Sequence, residues 1–527
     1  MVEASIDMPT LRQQLVAARE ATSDDTYDVV FVVPTGVPAV EAELSAASGV
    51  RVARTNGLPG RSNTQQIGAE VAEADTVVYL GPMVLPQPGF LAPLVDAVAS
   101  GAACAAASID GYGGYAIAPD TSVQSPDGDA PIEAVALDCL AARREFWLDL
   151  PGPLRMREGP PELQFGRWAR QRGPLVVRDE STVSRHASGP ISVIICTRDR
   201  ADDIRELVAR FRAFGANRDG GEIIVVDNGS SDGTAELCAE LTAQDSAVKY
   251  VYEPEPGLSI ARNSGAAVAT TGRIAYIDDD ARPAPGWHQA IAWGLTRGGV
   301  AATGGPIAAL WPPERSLDWP ELGLESNFGV LDHGDAIRVL GPPVEDIWGG
   351  NWSATEEAMK AVGPFNPKLG YSPDQRITGE ESSMTLRMTR AGAGAVLFNP
   401  WACVGHDVPV HKLSDDYIIE HKLRAGLAFH QVDFTGVVAS GNQQALLDEI
   451  VGSLREVFVC VRLTGEMQLA EALQRVQNAP GSVTSRANAA WQLGRVAGGV
   501  LLLGEETLEL EDLTLHMQQE NLRGFIN

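Results

Sequence analysis

Three consecutive aspartates, Asp278, Asp279 and Asp280, close the apolar run RIAYI. Carboxylates this close repel one another, and without a cation they lose stability or take up protons. On an extended chain residues i and i+2 share a face, so Asp278 and Asp280 can reach one hard divalent ion. Mg2+ held by one or two carboxylates plus substrate phosphates is the common form of such a site. The plain rival is a solvated acidic turn ahead of a helix starting at PAPGW. Asp227 ends EIIVVD and can accept hydrogen bonds from a base or ribose, although the following NGSSDGT is also rich in turn formers. Arg262 stands early in a helix that follows Gly257, where a helix start and a guanidinium both suit a phosphate. Glu380 and Glu381 open GEESSMTLRMTRAG. They serve either as favourable charges at a helix N-terminus or, one of them, as a general base toward a hydroxyl. His406, in FNPWACVGHDVP, offers a neutral imidazole to a metal.

These residues need elements that bring them together. SVIIC and EIIVVD are continuously apolar, the pattern of strands covered on both faces in a parallel sheet. Between them ADDIRELVARFRAF (201–214) has helical spacing, with Ile204, Leu207, Val208 and Phe211 on one face. Strand and helix keep alternating through 280, which predicts an α/β domain with a largely parallel sheet. Ligands of such sheets sit beyond the carboxyl ends of the strands. Thr197, Asp227 and Asp278 to Asp280 all lie there.

The first 190 residues read as a diverged copy of the same unit. PGRSNTQQIGAEVAEADTVVYLGPMVLPQPGF (59–90) aligns without a gap on PGLSIARNSGAAVATTGRIAYIDDDARPAPGW (256–287), at an offset of 256 − 59 = 197. Eleven of those 32 positions are identical, among them Gly68/Gly265 and Tyr79/Tyr276. ALDCLAARREFWLDLPG (136–152) lies on GGNWSATEEAMKAVGPF (349–365) at an offset of 349 − 136 = 213. Gly81, Pro82 and Met83 replace the three aspartates, so the first copy keeps the scaffold pattern and loses the carboxylates.

Composition narrows the class. A length of 527 residues suits roughly two or three domains, and 44% apolar with 21% charged residues excludes wholesale disorder. Net charge is 41 − 69 = −28, so no nucleic-acid partner is expected. Cys104, Cys139, Cys196, Cys238, Cys403 and Cys460 show no metal-finger spacing. The start MVEASIDMPTLRQQ is not a signal peptide, and no run reaches the roughly 18 apolar residues that span a bilayer. A cytoplasmic protein without a transmembrane segment is expected, with peripheral contact at the inner face of the membrane still compatible.

In order, SVIICTRDR, VVDNGSSDGT, EPGLSIARNSGA, YIDDDARPAPGW, GGNWSATEEAMKAVGPF and GEESSMTLRMTRAG resemble the successive motifs of family 2 glycosyltransferases, over about residues 190–435. The resemblance implies an α/β GT-A nucleotide-sugar-binding fold, here duplicated and followed by a helical region. It implies an extension at 1–24, a degenerate, non-catalytic GT-A-like domain at 25–188, a catalytic GT-A domain at 189–435 and a helical C-terminal region at 436–527. The activity implied is metal-dependent, inverting transfer of one sugar from a nucleoside-diphosphate sugar to an acceptor hydroxyl. Thr197, Arg198 and Asp227 would hold base and ribose, Arg262 would lie near the diphosphate, and Asp278 and Asp279 would contact the nucleotide sugar. Asp280, Asp278 and His406 would bind Mg2+ or Mn2+, and Gly350, Asn351 and Trp352 would line the donor sugar and acceptor. Glu381 matches the family's catalytic carboxylate, but the pair is Glu-Glu, so Glu380 stays in contention. Processive members carry QxxRW, whereas His421-Lys-Leu-Arg424-Ala stands here; a single-addition enzyme is implied. A nucleotidyltransferase or a sugar-binding scaffold are the rival readings, and the terminal regions are where copies of the chain would associate.

Overall fold

A computed structural model describes, with short gaps, residues 29–109, 139–313, 324–432 and 469–503, together with scattered positions between them. Its first unit contains strands β1 (Val29–Pro34), β2 (Val50–Thr55), β3 (Thr76–Leu80), β4 (Val84–Pro86), β5 (Cys104–Ile109), β6 (Cys139–Arg143) and β7 (Leu175–Arg185), with helices α1 (Arg61–Val71), α2 (Leu91–Ala99) and α3 (Pro161–Arg170). The second unit runs β8 (Ser192–Thr197), α4 (Ala201–Phe214), β9 (Glu222–Asp227), α5 (Thr234–Gln244), β10 (Val248–Tyr252), α6 (Leu258–Val268), β11 (Arg273–Asp278), β12 (Ala281–Pro283) and α7 (Trp287–Leu295). It continues through β13 (Val300–Gly304), β14 (Ile307–Leu310), β15 (Arg338–Leu340), β16 (Asn351–Thr355), α8 (Glu356–Val362), α9 (Glu380–Arg390), β17 (Ala395–Phe398) and β18 (Val404–Asp407). Helices α10 (Asp415–Val432), α11 (Leu469–Gln477) and α12 (Val483–Leu503) follow.

The second unit is mixed α/β, built on an eight-stranded sheet in the order β10-β9-β8-β11-β16-β13-β17-β15. β8, β9, β10 and β11 pair in parallel, so their carboxyl ends share one edge. Burial of β8 and β9 on both faces explains their unbroken apolar runs. Val193, Ile195, Ile223 and Val225 face Ile204, Leu207, Val208 and Phe211 of α4. Ile194, Ile224 and Val226 share the opposite core with Tyr276, Trp352, Phe365 and, from α9, Met384 and Met388. Each such side chain withdrawn from water is worth about 1.5–3 kcal/mol. α4 stops at Gly215, whose φ of 79° is left-handed and suits glycine. A smaller sheet, β12-β18-β14, hangs below the carboxyl edge and brings residues 404–407 beside residues 281–283.

In the first unit the order β3-β6-β5-β7 repeats β11-β16-β13-β17 of the second. β6 is antiparallel to β3 and β5 as β16 is to β11 and β13, while β5/β7 and β13/β17 are both parallel. β1 and β2 pair in parallel like β8 and β9, but as a separate two-stranded sheet. One alignment needs correction. Thr76 pairs with Arg143 and Arg273 with Thr355, so at the 197 offset of 76 and 273 the equivalence is 355 − 143 = 212, one residue short of the sequence alignment. Side chains alternate across a strand, so a slip of one exchanges the two faces, and only pairing register detects it. Gly81 follows β3 directly, whereas Pro82 and Met83 lie outside the described residues.

The two units meet where Met156 enters a core with Ala308, Phe328 and Val408, its backbone N–H donating to Asp332 Oδ2 at 3.2 Å. The extension at 1–24 falls almost wholly outside the described residues, as do the 435/436 boundary and the acidic stretch 505–513. The described part of 436–527 is helical but is no loose appendage. α12 crosses α10 at Gly494 and Gly426, where a Cβ on Gly494 would stand 2.0 Å from the Leu423 carbonyl oxygen. None of the described helices is long and apolar enough to cross a membrane.

Candidate active site

The candidate residues gather at the carboxyl edge of the large sheet, where Asp278, Asp279, Asp280 and Glu381 are partly open to solvent. Asp227, at the end of β9, is buried, with Oδ1 accepting from the Ser230 N–H at 2.7 Å and Oδ2 from the Tyr250 hydroxyl at 3.0 Å. At the end of β8, Thr197 donates its hydroxyl to Asp279 Oδ2 at 2.8 Å. Asp199 then takes a left-handed φ of 56°, held by Ser231, whose N–H and hydroxyl donate to its Oδ1 at 2.6 and 3.1 Å. This turn sends Arg198 outward, 3.8 Å from Asp199, and returns Arg200 to the site. The Arg200 guanidinium stands 3.3 Å from both Asp279 Oδ1 and Asp280 Oδ2.

Asp278 ends β11, and Asp279 and Asp280 form the turn into β12. Pairing of Ala281 with His406 across β12 and β18 sets His406 Nε2 3.6 Å from Asp280 Oδ1. His406 Nδ1 is buried without a partner. Loss of water pushes Asp279 up to about 7 against the pull of Arg200. The same desolvation raises Asp278; Arg262 opposes it, and the neighbouring Asp280 charge adds to it. Asp278 nonetheless presents 40% of its side chain to solvent. Among the described residues no three His, Cys, Asp or Glu side chains converge as a ready-made metal cage. Asp280 with His406, and Asp278 nearby, instead form a partial donor set of the kind that Mg2+ completes with phosphate and water oxygens. The residues fit such an ion.

Arg262 is buried between the rings of Tyr276 and Phe365, at 5.8 and 5.7 Å. It donates to Glu380 Oε1 at 2.5 Å and lies 3.7 Å from Asp278 and 4.0 Å from Glu381. Glu380 is buried and spent on this pair, while Glu381 keeps 15% of its side chain open. Burial, then the Glu380 charge, pushes Glu381 up to about 8 despite Arg262. Arg262 therefore sits behind the carboxylates and is not exposed to a ligand directly. Two glycines make this packing possible. A Cβ on Gly349 would lie 2.5 Å from Arg262 Nη2, and one on Gly350 would lie 3.1 Å from Asp278 Oδ2.

Asn351 and Trp352 do not reach the site. Asn351 accepts from Trp287 Nε1 at 2.8 Å and donates to the carbonyls of Ala402 and Pro306 at 2.7 and 3.3 Å. Trp352 is buried and donates to Thr385 Oγ1 at 2.9 Å. Both anchor the loop that carries the two glycines. Three groups escaped the sequence reading. Arg200 was hidden because only the turn at Asp199 exchanges its direction with that of Arg198. Lys412 follows β18 and feels the Asp280, Arg200 and Asp278 charges. Asp346, buried among the Ile347 N–H and the Ser382 and Thr385 hydroxyls, is pushed up to about 7 by burial and adds to the field on Glu381. Its signal, an acid in the apolar stretch EDIWGG, is weak.

Residues 192–325 match the family described as Glycosyl transferase family 2. A glucosyl-dolichyl phosphate glucuronosyltransferase of Haloferax volcanii is 23% identical over 269 residues, covering 50% of this chain and 83% of that protein. A pre-mycofactocin glycosyltransferase of Mycobacterium tuberculosis is 27% identical over 255 residues, 45% of this chain and 50% of its own length. Among solved structures, a mannosyltransferase from Pyrobaculum calidifontis in complex with GDP-Man and Mn2+ aligns at 15% identity and a TM-score of 0.33, over 64% of this chain and 84% of that one.

Proposed function

Because residues 192–325 are a family 2 glycosyltransferase domain, we propose that the second unit transfers one sugar from a nucleoside-diphosphate donor to an acceptor hydroxyl, with inversion and with a divalent cation. The observation that carries this reading is the gathering at one sheet edge of the Asp280–His406 pair, Asp278 and, joined to Asp278 through Arg262, the partly open Glu381.

Thr197, Asp227 and Asp279 border the base and ribose end of the site. Asp278, Asp280 and His406 would hold Mg2+ or Mn2+. That ion, when bound, neutralises charge on the departing diphosphate. Glu381 is the base: its Oε takes the acceptor proton as the acceptor oxygen bonds to the anomeric carbon. The anomeric carbon–oxygen bond to the diphosphate breaks, and its electron pair leaves with the nucleotide. One displacement inverts the centre. Glu380 and Arg262 act as positioning residues, Arg262 holding both glutamates and Asp278 in place. Burial of Glu380 in its ion pair favours Glu381 as the base, because a group already sharing its lone pairs with a guanidinium is a poor proton acceptor. The strand order shared by the units supports reading 25–188 as a copy that keeps the scaffold without the carboxylates, followed by a catalytic domain at 189–435 and helices at 436–527.

Incubation with a panel of nucleotide sugars and Mn2+ or Mg2+, read by nucleotide release and by NMR of the anomeric proton, tests the reading. Release with one donor, abolished by chelation, is expected, and a transferred sugar of opposite anomeric configuration should follow with a competent acceptor. Metal-independent turnover or retained configuration would overturn the mechanism.

A further inference from the structure

The strand that carries His406 also carries a carboxylate with a different partner. Side chains alternate along β18, so Asp407 points away from His406 and shares a face with Gly405, which pairs with Arg282 of β12. Arg282 is buried, and its Nη2 stands 2.8 Å from Asp407 Oδ2 and donates to Asp203 Oδ1 at 3.4 Å. Its Nε lies 3.1 Å from Glu206 Oε1, and its Nη1 donates to the Ala281 carbonyl at 3.3 Å. Asp203 and Glu206 are neighbours on one face of α4, while Asp407 comes from β18. One guanidinium therefore joins α4, β12 and β18.

All three elements lead to the Asp280–His406 pair. Ala281 pairs with His406, and the Asp407 N–H donates to the Asp280 carbonyl at 3.2 Å. α4 begins one residue after Arg200, whose guanidinium stands 3.3 Å from Asp280 Oδ2. Without Arg282, three carboxylates would be gathered about one point, and Arg210, 3.2 Å from Glu206, would offset one of them. Like charges at such range repel. That repulsion would act on β18 through Asp407, the chain neighbour of His406. A lysine could supply the charge, but only the guanidinium fork reaches carboxylates on two elements at once. Groups behind a metal ligand that fix its orientation typically alter metal affinity about 10–100-fold when removed.

We propose that Arg282 is a positioning residue for the divalent-cation site, fixing the separation of His406 from Asp280 by clamping Asp407 of β18 to Asp203 and Glu206 of α4. The inference rests on the cation reading above, and the test separates the two. Free Mn2+ is followed by electron paramagnetic resonance as it is titrated into the full-length protein with excess UDP or GDP, whichever binds more tightly. Arg282→Met should weaken Mn2+ binding about 10–100-fold, and Arg282→Lys, which keeps the charge without the fork, should fall between it and the parent protein. Asp407→Asn should weaken binding as well. The double variant Arg282→Met/Asp407→Asn should lose less than the product of the two single losses, because both break one link. Arg212→Met, which breaks the 3.2 Å contact to Asp245 near the other end of α4, should leave Mn2+ binding unchanged. An equal loss there would assign the effect to general loosening of α4 and overturn the positioning role. Arg282→Met that is folded by circular dichroism and binds Mn2+ within about twofold of the parent overturns it too, as do fully multiplicative losses in the double variant. Should Arg282→Met not fold, Asp407→Asn carries the same twofold criterion. A parent protein that binds no Mn2+ with either nucleotide would remove the cation reading and the role with it, whereas undiminished binding by Arg282→Met would remove the role alone.

Discussion

Replacing Arg262 by methionine should cost the second unit more stability than any other single change at the site. Arg262 is buried, as is Glu380, and their 2.5 Å contact is the main compensation either charge has. Asp278 at 3.7 Å and Glu381 at 4.0 Å draw on the same guanidinium. Removing one partner of a buried pair leaves an uncompensated charge and costs about 3–5 kcal/mol, well above the 0–1 kcal/mol of a surface pair. Methionine roughly conserves the apolar stem between Tyr276 and Phe365, so the cavity contribution stays small. Several units unfold separately in a chain this long, so the opening free energy should be read by native-state hydrogen exchange on β11 peptides. Arg262→Met should lower it by about 3–5 kcal/mol. The double variant Arg262→Met/Glu380→Met should recover most of the loss, since a buried ion pair exchanged for apolar residues of similar volume is often neutral. A loss below about 1 kcal/mol, or a double variant no better than the single one, would refute the account of Arg262 as the charge that holds the glutamates together.

Glu381→Gln should leave nucleotide binding intact while turnover falls roughly 10²–10⁴-fold; a comparable fall from Glu380→Gln with Glu381→Gln near normal would exchange their roles. With Glu381 raised to about 8, kcat/KM should climb with pH through that value, and Glu380→Gln should move the limb downward by removing the neighbouring charge. The same shift makes the folded state hold a proton that the unfolded chain releases near its ordinary 4.5, so this group's contribution to stability should fall as pH rises from 4.5 toward about 8, which urea titrations at several pH values would check. Asp280→Ala should abolish the Mn2+ dependence of nucleotide binding, and calorimetry showing unchanged dependence would remove Asp280 from the metal site. Gly494→Ala would push a Cβ to 2.0 Å from the Leu423 carbonyl, so about 1–3 kcal/mol of helix docking should be lost, seen as faster exchange across α10.

The α/β class, the parallel strands and the edge at which the site lies were legible because burial on both faces leaves an unbroken apolar run that one strand can show by itself. Helix α4 was readable to the residue, since four apolar positions at helical spacing are a local feature. Local spacing also marked Asp278, Asp280, Glu380, Glu381 and His406 as chemically capable. Their relations were not local. Whether Glu380 or Glu381 is left open to solvent depends on where Arg262, 118 residues earlier, spends its guanidinium. Asn351 and Trp352 stand beside Gly349 and Gly350 in sequence, yet the carbonyls of Pro306 and Ala402 hold Asn351 in the core and Thr385 holds Trp352 there. Arg198 was the residue expected at the nucleotide, yet the turn at one left-handed residue, Asp199, brings Arg200 to the aspartates instead. The second sequence alignment between the two units slipped by one for a similar reason: composition aligns residue types, while register is settled by hydrogen bonds between strands. Short-range periodicity thus showed what kind of sheet this chain builds, and its motifs, by their resemblance to a family, pointed to the chemistry. The direction of each side chain, its charge partner and its exposure are sums over segments far apart in sequence, and only the tertiary structure evaluates them.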